Sequence, residues 1–186
     1  MNSQVSQENE LEWFPMRVTY NREQKVKKYL DELSIENFLP MRFGLVETAT
    51  GRKRTLVPAI HNLIFVRSTQ KTLSLLKMTK KDLAPLRYMT KDAEGGTGKV
   101  IIRVPNVQME NFIRVASVED DTIMYLDYNK FISKVGRKVL ITEGRFGGVE
   151  GVVKRIKKNK CVVVQIDGVA AVAITFVPPA FLRFID

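Results

Sequence analysis

The sequence has few of the residues that build covalent or metal-held sites. It contains one cysteine, Cys161, and one histidine, His61, among 186 residues. A single cysteine excludes an intramolecular disulfide, and without a cysteine–histidine cluster no zinc site is predicted. His61 has no serine, cysteine or carboxylate partner in a recognisable motif, so we predict a structural histidine rather than a catalytic base. We therefore expect that the protein is not an enzyme and that it binds no metal or cofactor.

Two glycine-rich stretches do not have the features of nucleotide-binding loops. Near Gly95–Lys99, Ala93 and Val100 stand where a phosphate-binding loop needs its first glycine and its magnesium-binding hydroxyl. The run Gly144–Gly151 is not followed by a predicted helix, which a dinucleotide fingerprint requires. Nucleotide chemistry is therefore not predicted.

Long apolar runs are also missing. No stretch approaches the roughly 20 apolar residues that a membrane span needs. The N-terminal residues are polar and acidic, unlike a signal peptide. We expect a cytoplasmic protein without a membrane partner, and a monomer.

Acidic residues are outnumbered by basic ones, 20 to 30, for a net charge of +10. Residues 1–117 carry 19 basic and 12 acidic side chains, residues 118–134 carry 2 and 4, and residues 135–186 carry 9 and 4. Two basic segments therefore flank an acidic one. The pattern predicts a disordered tail over 1–11, a domain over 12–117, an acidic linker over 118–134 and a second domain over 135–186. The excess of cations favours a polyanionic partner.

The first domain alternates strands with helices. We predict strands near 13–20, 36–46, 60–67, 86–90 and 100–104, and helices over 22–33, from about 70, and over 107–116. A polar hairpin tip is expected over 48–54. Antiparallel hairpins without long crossovers predict an α+β domain with one sheet flanked by helices. Within the acidic linker, Ile123, Tyr125, Leu126 and Phe131 could alternatively dock as a strand.

The second domain is predicted to be a small β-barrel. Strands are expected at 139–141, 151–156, 161–166, 169–175 and 181–185, with turns at Gly144–Gly151, Asn159–Lys160 and Asp167–Gly168. Five short strands in about fifty residues are typical of SH3-like barrels. We expect Phe146 in the core. Five cations form a predicted exposed basic hairpin: Lys154, Arg155, Lys157, Lys158 and Lys160.

Two further groups could bind partners. Trp13 and Phe14 are adjacent, so they point to opposite faces of a strand, and one face of the sheet could offer an apolar patch. A cationic set, with the Arg52–Arg54 tip beside it, could contact phosphates: Arg17, Arg22, Lys25 and Lys28. Buried core residues and a solvated surface are the ordinary alternatives for these two groups.

Several motifs resemble the NusG family of transcription factors. Trp13–Leu30 is similar to the opening strand and helix of the NusG N-terminal (NGN) domain, and Leu63–Val66 is similar to its central strand. Gly144, Phe146 and Gly151, followed by two valines and a basic turn, resemble the KOW motif. The whole chain most resembles the UpxY-type branch, which comprises antiterminators of surface-polysaccharide operons. It differs where the family has Phe-Pro-Gly-Tyr, since this chain has Ile60-His61-Asn62-Leu63.

The resemblance implies a function. The N-terminal domain would bind the clamp helices of RNA polymerase, and the cationic set would touch DNA of the transcription bubble or nascent RNA. The KOW domain would bind a second partner. The residues implied in polymerase binding are Trp13, Phe14, Ile60, Leu63 and Phe65. The alternative is a KOW-type ribosome-associated or general RNA-binding protein.

Overall fold

The computed structural model describes residues 10–127, 136–156 and 158–185. Most of the predicted tail, linker residues 128–134, barrel residue 135 and Lys157 lie outside the described residues. The chain divides into two compact units. The first contains residues up to Leu39 together with Ile60–Asn106, and the second contains Pro40–Ala59 and the chain from Val107 onwards. This division differs from the predicted border after residue 117.

The first unit is built on a four-stranded antiparallel sheet with the order β2-β5-β1-β6. Its strands are β1 (Glu12–Val18), β2 (Asn37–Phe38), β5 (Leu63–Ser68) and β6 (Leu86–Tyr88). A separate pair consists of β7 (Thr90–Asp92) and β8 (Lys99–Ile101). The helices are α1 (Glu23–Glu32) and α2 (Gln70–Thr79).

Both helices begin within a residue of the predicted positions, and each buries apolar residues of the predicted pattern. In α1, Val26 and Leu30 are four residues apart and fully buried, so they lie on one inward face. The hydroxyl of Thr69 accepts a hydrogen bond from the Thr72 backbone N–H at 3.1 Å and caps α2. Leu73 is the buried residue of α2.

The described residues of the second unit form a long hairpin, one α-helix and a six-stranded antiparallel sheet. The hairpin strands are β3 (Met41–Thr48) and β4 (Gly51–Pro58), and the helix is α3 (Asn106–Ala116). The sheet has the order β14-β10-β11-β12-β13-β9. Its strands are β9 (Ile123–Leu126), β10 (Arg137–Ile141), β11 (Glu150–Ile156), β12 (Asn159–Ile166), β13 (Ala170–Ile174) and β14 (Leu182–Phe184). The predicted α+β class with antiparallel sheets is confirmed.

Positive φ angles and close packing explain why glycines occur between Gly144 and Gly151, the region of the predicted KOW motif. Gly144 and Gly148 have φ angles of 76° and 87°, which glycine adopts without a Cβ penalty. A Cβ at Gly151 would lie 2.9 Å from the carbonyl oxygen of Val163, so a larger residue does not fit there. Phe146 is buried, as expected.

The structure decides or refines three of the sequence predictions. Of the two alternatives for residues 118–134, a linker or a docked strand, the strand is observed over Ile123–Leu126 (β9). Its backbone pairs with β13, and Leu126 joins the core with Ile156 and Val163. The hairpin predicted over 48–54 is present, with its turn at residues 49–50, and Arg52–Arg54 lie in strand β4 beside that turn. Asn159 pairs with Ile156, so the predicted turn at Asn159–Lys160 is the start of strand β12.

Candidate functional site

Four of the five residues predicted to contact polymerase are buried. Trp13 and Leu63 are each 4% exposed, and Phe14 and Phe65 are fully buried. Phe14 packs edge-to-face on Tyr88, with ring centroids 5.5 Å apart. Trp13 and Phe14 do point to opposite faces, but each of them is covered. Ile60 is half-buried and is the member of this set with accessible surface.

The first unit exposes other apolar side chains that the sequence pattern did not single out. On helix α2, Leu75 is 60% and Met78 is 85% exposed. They are three residues apart, which places neighbouring side chains on one helix face. Leu73 lies on the buried side of the same helix. The signal available in the sequence was the presence of more apolar residues in α2 than a single inward stripe requires.

The predicted cationic set is at the surface. All four members are exposed: Arg17, Arg22, Lys25 and Lys28. Arg22, Lys25 and Lys28 follow each other at intervals of three residues, Arg22 at the N-cap of α1 and the two lysines within the helix. Lys25 forms an exposed ion pair with Asp82 at 3.1 Å, which costs little to break because both groups are solvated.

A fifth cation extends this set across the sheet. Arg17 pairs directly with Arg87 of β6, and both side chains are exposed. Like charges directly opposite each other in a sheet are unfavourable, and a bound anion would relieve the repulsion.

The pKa of Lys77 is lowered by burial and, to a smaller extent, by the positive charge of Arg87. Lys77 also lies 4.2 Å from the centroid of the Tyr88 ring.

The connection between β1 and α1 has a strained backbone and carries an exposed aromatic residue. Tyr20 and Asn21 have φ angles of 66° and 51°, a left-handed conformation that non-glycine residues rarely adopt. Tyr20 is 82% exposed, and the Arg22 guanidinium lies 5.7 Å from its ring centroid. The buried Glu23 carboxylate accepts a hydrogen bond from the Asn62 backbone N–H at 2.6 Å. This bond ties the start of α1 to the Asn62 turn.

The predicted basic hairpin of the second unit is only partly exposed. Lys154 is 7% exposed, and its Nζ donates to Gln165 Oε1 at 3.5 Å, so the prediction of an exposed Lys154 is wrong. The reason is the register, which pairs Lys154 with the buried Cys161. Arg155 and Lys160 pair directly and are both exposed. Lys158 is exposed as well, and Lys157 lies outside the described residues.

An apolar groove of about 200 Å³ lies on the six-stranded sheet. Its lining includes Val153, Val162, Leu182 and Phe184. Phe184 is 46% exposed, and the Arg137 guanidinium lies 3.8 Å from its ring centroid. The groove therefore combines an accessible aromatic ring with aliphatic walls.

The described residues contain no cluster of three or more histidine, cysteine, aspartate or glutamate side chains suited to a metal ion. None of the helices in the described part of the chain is long and apolar enough to span a membrane.

A family model described as "Transcription termination factor nusG" matches residues 11–113, more than half of the chain. The chain therefore belongs to the NusG family of transcription factors, as its motifs predicted. Among solved structures, NusG of Thermotoga maritima, from a study entitled "Domain interaction in Thermotoga maritima NusG", is 16% identical. That comparison covers 95% of this chain and 98% of the other, with a TM-score of 0.44. No curated protein matches the sequence significantly.

Proposed function

We propose that this protein is an operon-specific elongation and antitermination factor that binds the clamp helices of RNA polymerase through its first unit. The observation that carries the proposal is the family match over residues 11–113, which spans the whole four-stranded sheet and its helices. By holding the clamp closed, the protein would suppress pausing and termination. Such an effect requires tighter binding to the closed state than to the open one.

Accessible apolar residues are the proposed contacts. Ile60 retains exposed surface, and Leu75 and Met78 add an exposed pair on α2. Trp13, Phe14, Leu63 and Phe65 would then act by supporting this surface from within the core. Apolar side chains contribute to binding free energy when their surface is removed from water, so side chains that are exposed before binding contribute most.

The cationic set is proposed to contact DNA of the transcription bubble or nascent RNA. Arg17, Arg22, Lys25 and Lys28 are exposed, and Arg87 adds to the same positive charge beside Arg17. Exposed arginines and lysines mainly hold phosphates, which positions a protein on nucleic acid without reading sequence.

The target is proposed to be a surface (capsular) polysaccharide biosynthesis operon. This part rests on the similarity to UpxY-type antiterminators over the motifs quoted above. The protein would act in the cytoplasm as a monomer, and it would perform no chemical catalysis.

The second unit is proposed to bind a second protein partner. Its apolar groove with the partly exposed Phe184 supports this proposal. An alternative function, a KOW-type ribosome-associated or general RNA-binding protein, is favoured by the directly opposed and exposed Arg155 and Lys160. Such a protein would bind structured RNA with a steep salt dependence and would not need polymerase.

The proposal is tested by capture of purified RNA polymerase on the immobilised full chain, with and without an excess of isolated clamp helices. We expect capture that the helices abolish. Leu75→Asp should weaken capture at least about tenfold, because it places a carboxylate in a contact that must lose water. Val107→Asp is the matched control, since Val107 is comparably exposed at 62% but lies on α3 of the second unit.

Capture that persists in excess clamp helices would refute the proposed docking surface. If the full chain captures no polymerase at moderate salt but binds structured RNA, the alternative function is correct. Equal loss of capture in Leu75→Asp and Val107→Asp would remove α2 from the interface.

A further inference from the structure

The hairpin of β3 and β4, Met41–Pro58, forms a two-stranded antiparallel ribbon. Its strands pair with each other in continuous register from Met41↔Pro58 to Thr48↔Gly51. Within the described residues, neither strand pairs with any other strand. Every residue from Leu45 to Arg54 is exposed, so both faces of this distal half are open.

The distal half of the ribbon is strongly basic. It contains the cations Arg52, Lys53 and Arg54 and the single acid Glu47. Arg52 pairs with Glu47 at 3.6 Å, and Arg54 lies 4.6 Å from the ring centroid of Phe43. Lys53 forms no ion pair with any residue that the structure describes. The ribbon therefore presents more positive charge than it neutralises, which fits a polyanionic partner.

Apolar and hydroxyl side chains stand among these cations. Leu45 is 69% and Val46 is 39% exposed, and each lies directly opposite a cation, Arg54 and Lys53 respectively. Thr48 and Thr50 follow near the turn. Short apolar side chains contact thymine methyl groups, and threonine and basic side chains hydrogen-bond to base edges and phosphates.

We propose that this ribbon binds duplex DNA by entering the major groove, as a contact separate from the cationic set of the first unit. The major groove of B-DNA is about 12 Å wide and admits a two-stranded β-ribbon. The four exposed residue pairs of the distal half extend over roughly 10 Å, three rises of about 3.3 Å, which places several cations along the groove. The A-form major groove of RNA is too deep and narrow for the same contact.

Single-stranded nucleic acid fits the ribbon less well. Binding of single strands depends on aromatic rings on which bases stack. The distal half, Leu45–Arg54, has no aromatic residue. The nearest ring of the ribbon, Phe43, lies outside the distal half and has the Arg54 guanidinium 4.6 Å from its centroid. The distal half therefore has groups for phosphates and groove edges but no aromatic ring on which bases could stack.

The test measures binding of the full chain to a fluorescein-labelled duplex DNA of about 20 base pairs by fluorescence anisotropy at several salt concentrations. The variant R52Q/K53Q/R54Q should bind at least about tenfold more weakly. Its salt slope should fall by about 2 to 3, since each lost phosphate contact removes roughly 0.9 from the slope. The control K71Q/K80Q/K81Q removes the same charge from exposed positions of the first unit and should bind within about threefold of the wild type.

Three results would overturn the proposal. Equal loss of affinity in the ribbon variant and the control would show that the ribbon contributes only net charge. Tighter binding of single-stranded DNA or duplex RNA than of duplex DNA would exclude the major-groove contact. If the triple variant does not fold, the single variant Lys53→Gln decides, because an exposed lysine is not needed for folding; an unchanged affinity and salt slope would then refute the proposal.

Discussion

The Glu23 side chain accepts a hydrogen bond from the Asn62 backbone N–H at 2.6 Å, across 39 residues of sequence. Glu23 is 2% exposed, although it lies in the first turn of a surface helix. Asn62 has a φ of 60°, so this bond holds a left-handed turn that precedes strand β5. Ile60 lies in the same loop between β4 and β5, so this loop connects the Glu23 hydrogen bond to the proposed polymerase-binding surface.

Replacement of Glu23 by alanine should destabilise the first unit by about 1–3 kcal/mol. The variant leaves a partly buried backbone N–H without its acceptor and opens a small cavity. Thermal unfolding followed by circular dichroism would measure the loss. Glu32→Ala is the control, because Glu32 is an exposed acid at the other end of α1 and should shift the melting temperature little. Equal effects of the two variants would show that the bond contributes nothing.

Leu63→Asp should unfold the first unit rather than act as a clean binding variant. The Leu63 side chain is 4% exposed, so the carboxylate would be buried without a partner in addition to the lost apolar contacts. We expect a loss of at least about 3 kcal/mol in unfolding free energy by urea titration. Leu75→Asp places the same charge at an exposed position and should cost less than about 0.5 kcal/mol. A folded Leu63→Asp protein would contradict the burial.

The sequence predicted element types better than it predicted exposure. Periodicity placed α1, β1, β5 and α3 within a few residues, because each has a regular apolar pattern along one face. Periodicity does not say whether the opposite face is also covered. Trp13 and Phe14 therefore pointed to opposite faces as predicted, yet both are buried.

Pairing partners that lie far apart in sequence were the main source of error. The acidic composition of residues 118–134 predicts a linker and leaves a docked strand only as the alternative, yet β9 forms because it pairs with β13 about 50 residues later. Lys154 was predicted to be exposed from its charge, whereas its burial depends on pairing with Cys161. Register of this kind is set by the whole sheet and not by local composition.

Gly151→Ala should destabilise the six-stranded sheet by about 1–3 kcal/mol, the usual cost of overpacking. An added Cβ would lie 2.7 Å from Val162 Cγ1 and 2.9 Å from the Val163 carbonyl oxygen, and the backbone oxygen has little freedom to move. Gly96→Ala is the matched control, since nothing lies within 4 Å of a Cβ at that position. Urea titration of both variants would show whether the close approach limits residue 151 to glycine.

Acid should weaken the contact between Asp120 and Arg145. The hydrogen bond from Arg145, at 2.6 Å, and a second from the Thr122 hydroxyl lower the pKa of Asp120 from 3.8 to about 2. Because the pKa is lowered in the folded protein, the ionised carboxylate stabilises the fold above about pH 4. This contribution should be lost as the pH falls from about 4 to about 2.

Asp120→Asn tests this pH dependence. The difference in melting temperature between wild type and variant should be constant above about pH 5 and should shrink towards zero near pH 2, because protonation then removes the charge from the wild type as well. Asp121→Asn, a change at the adjacent and exposed carboxylate, should give a smaller difference across the same range. The Asp120 side chain is itself 41% exposed, so high salt should reduce its effect by screening. A difference for Asp120→Asn that persists unchanged at pH 2 would mean that the side-chain shape, and not the charge, stabilises this turn.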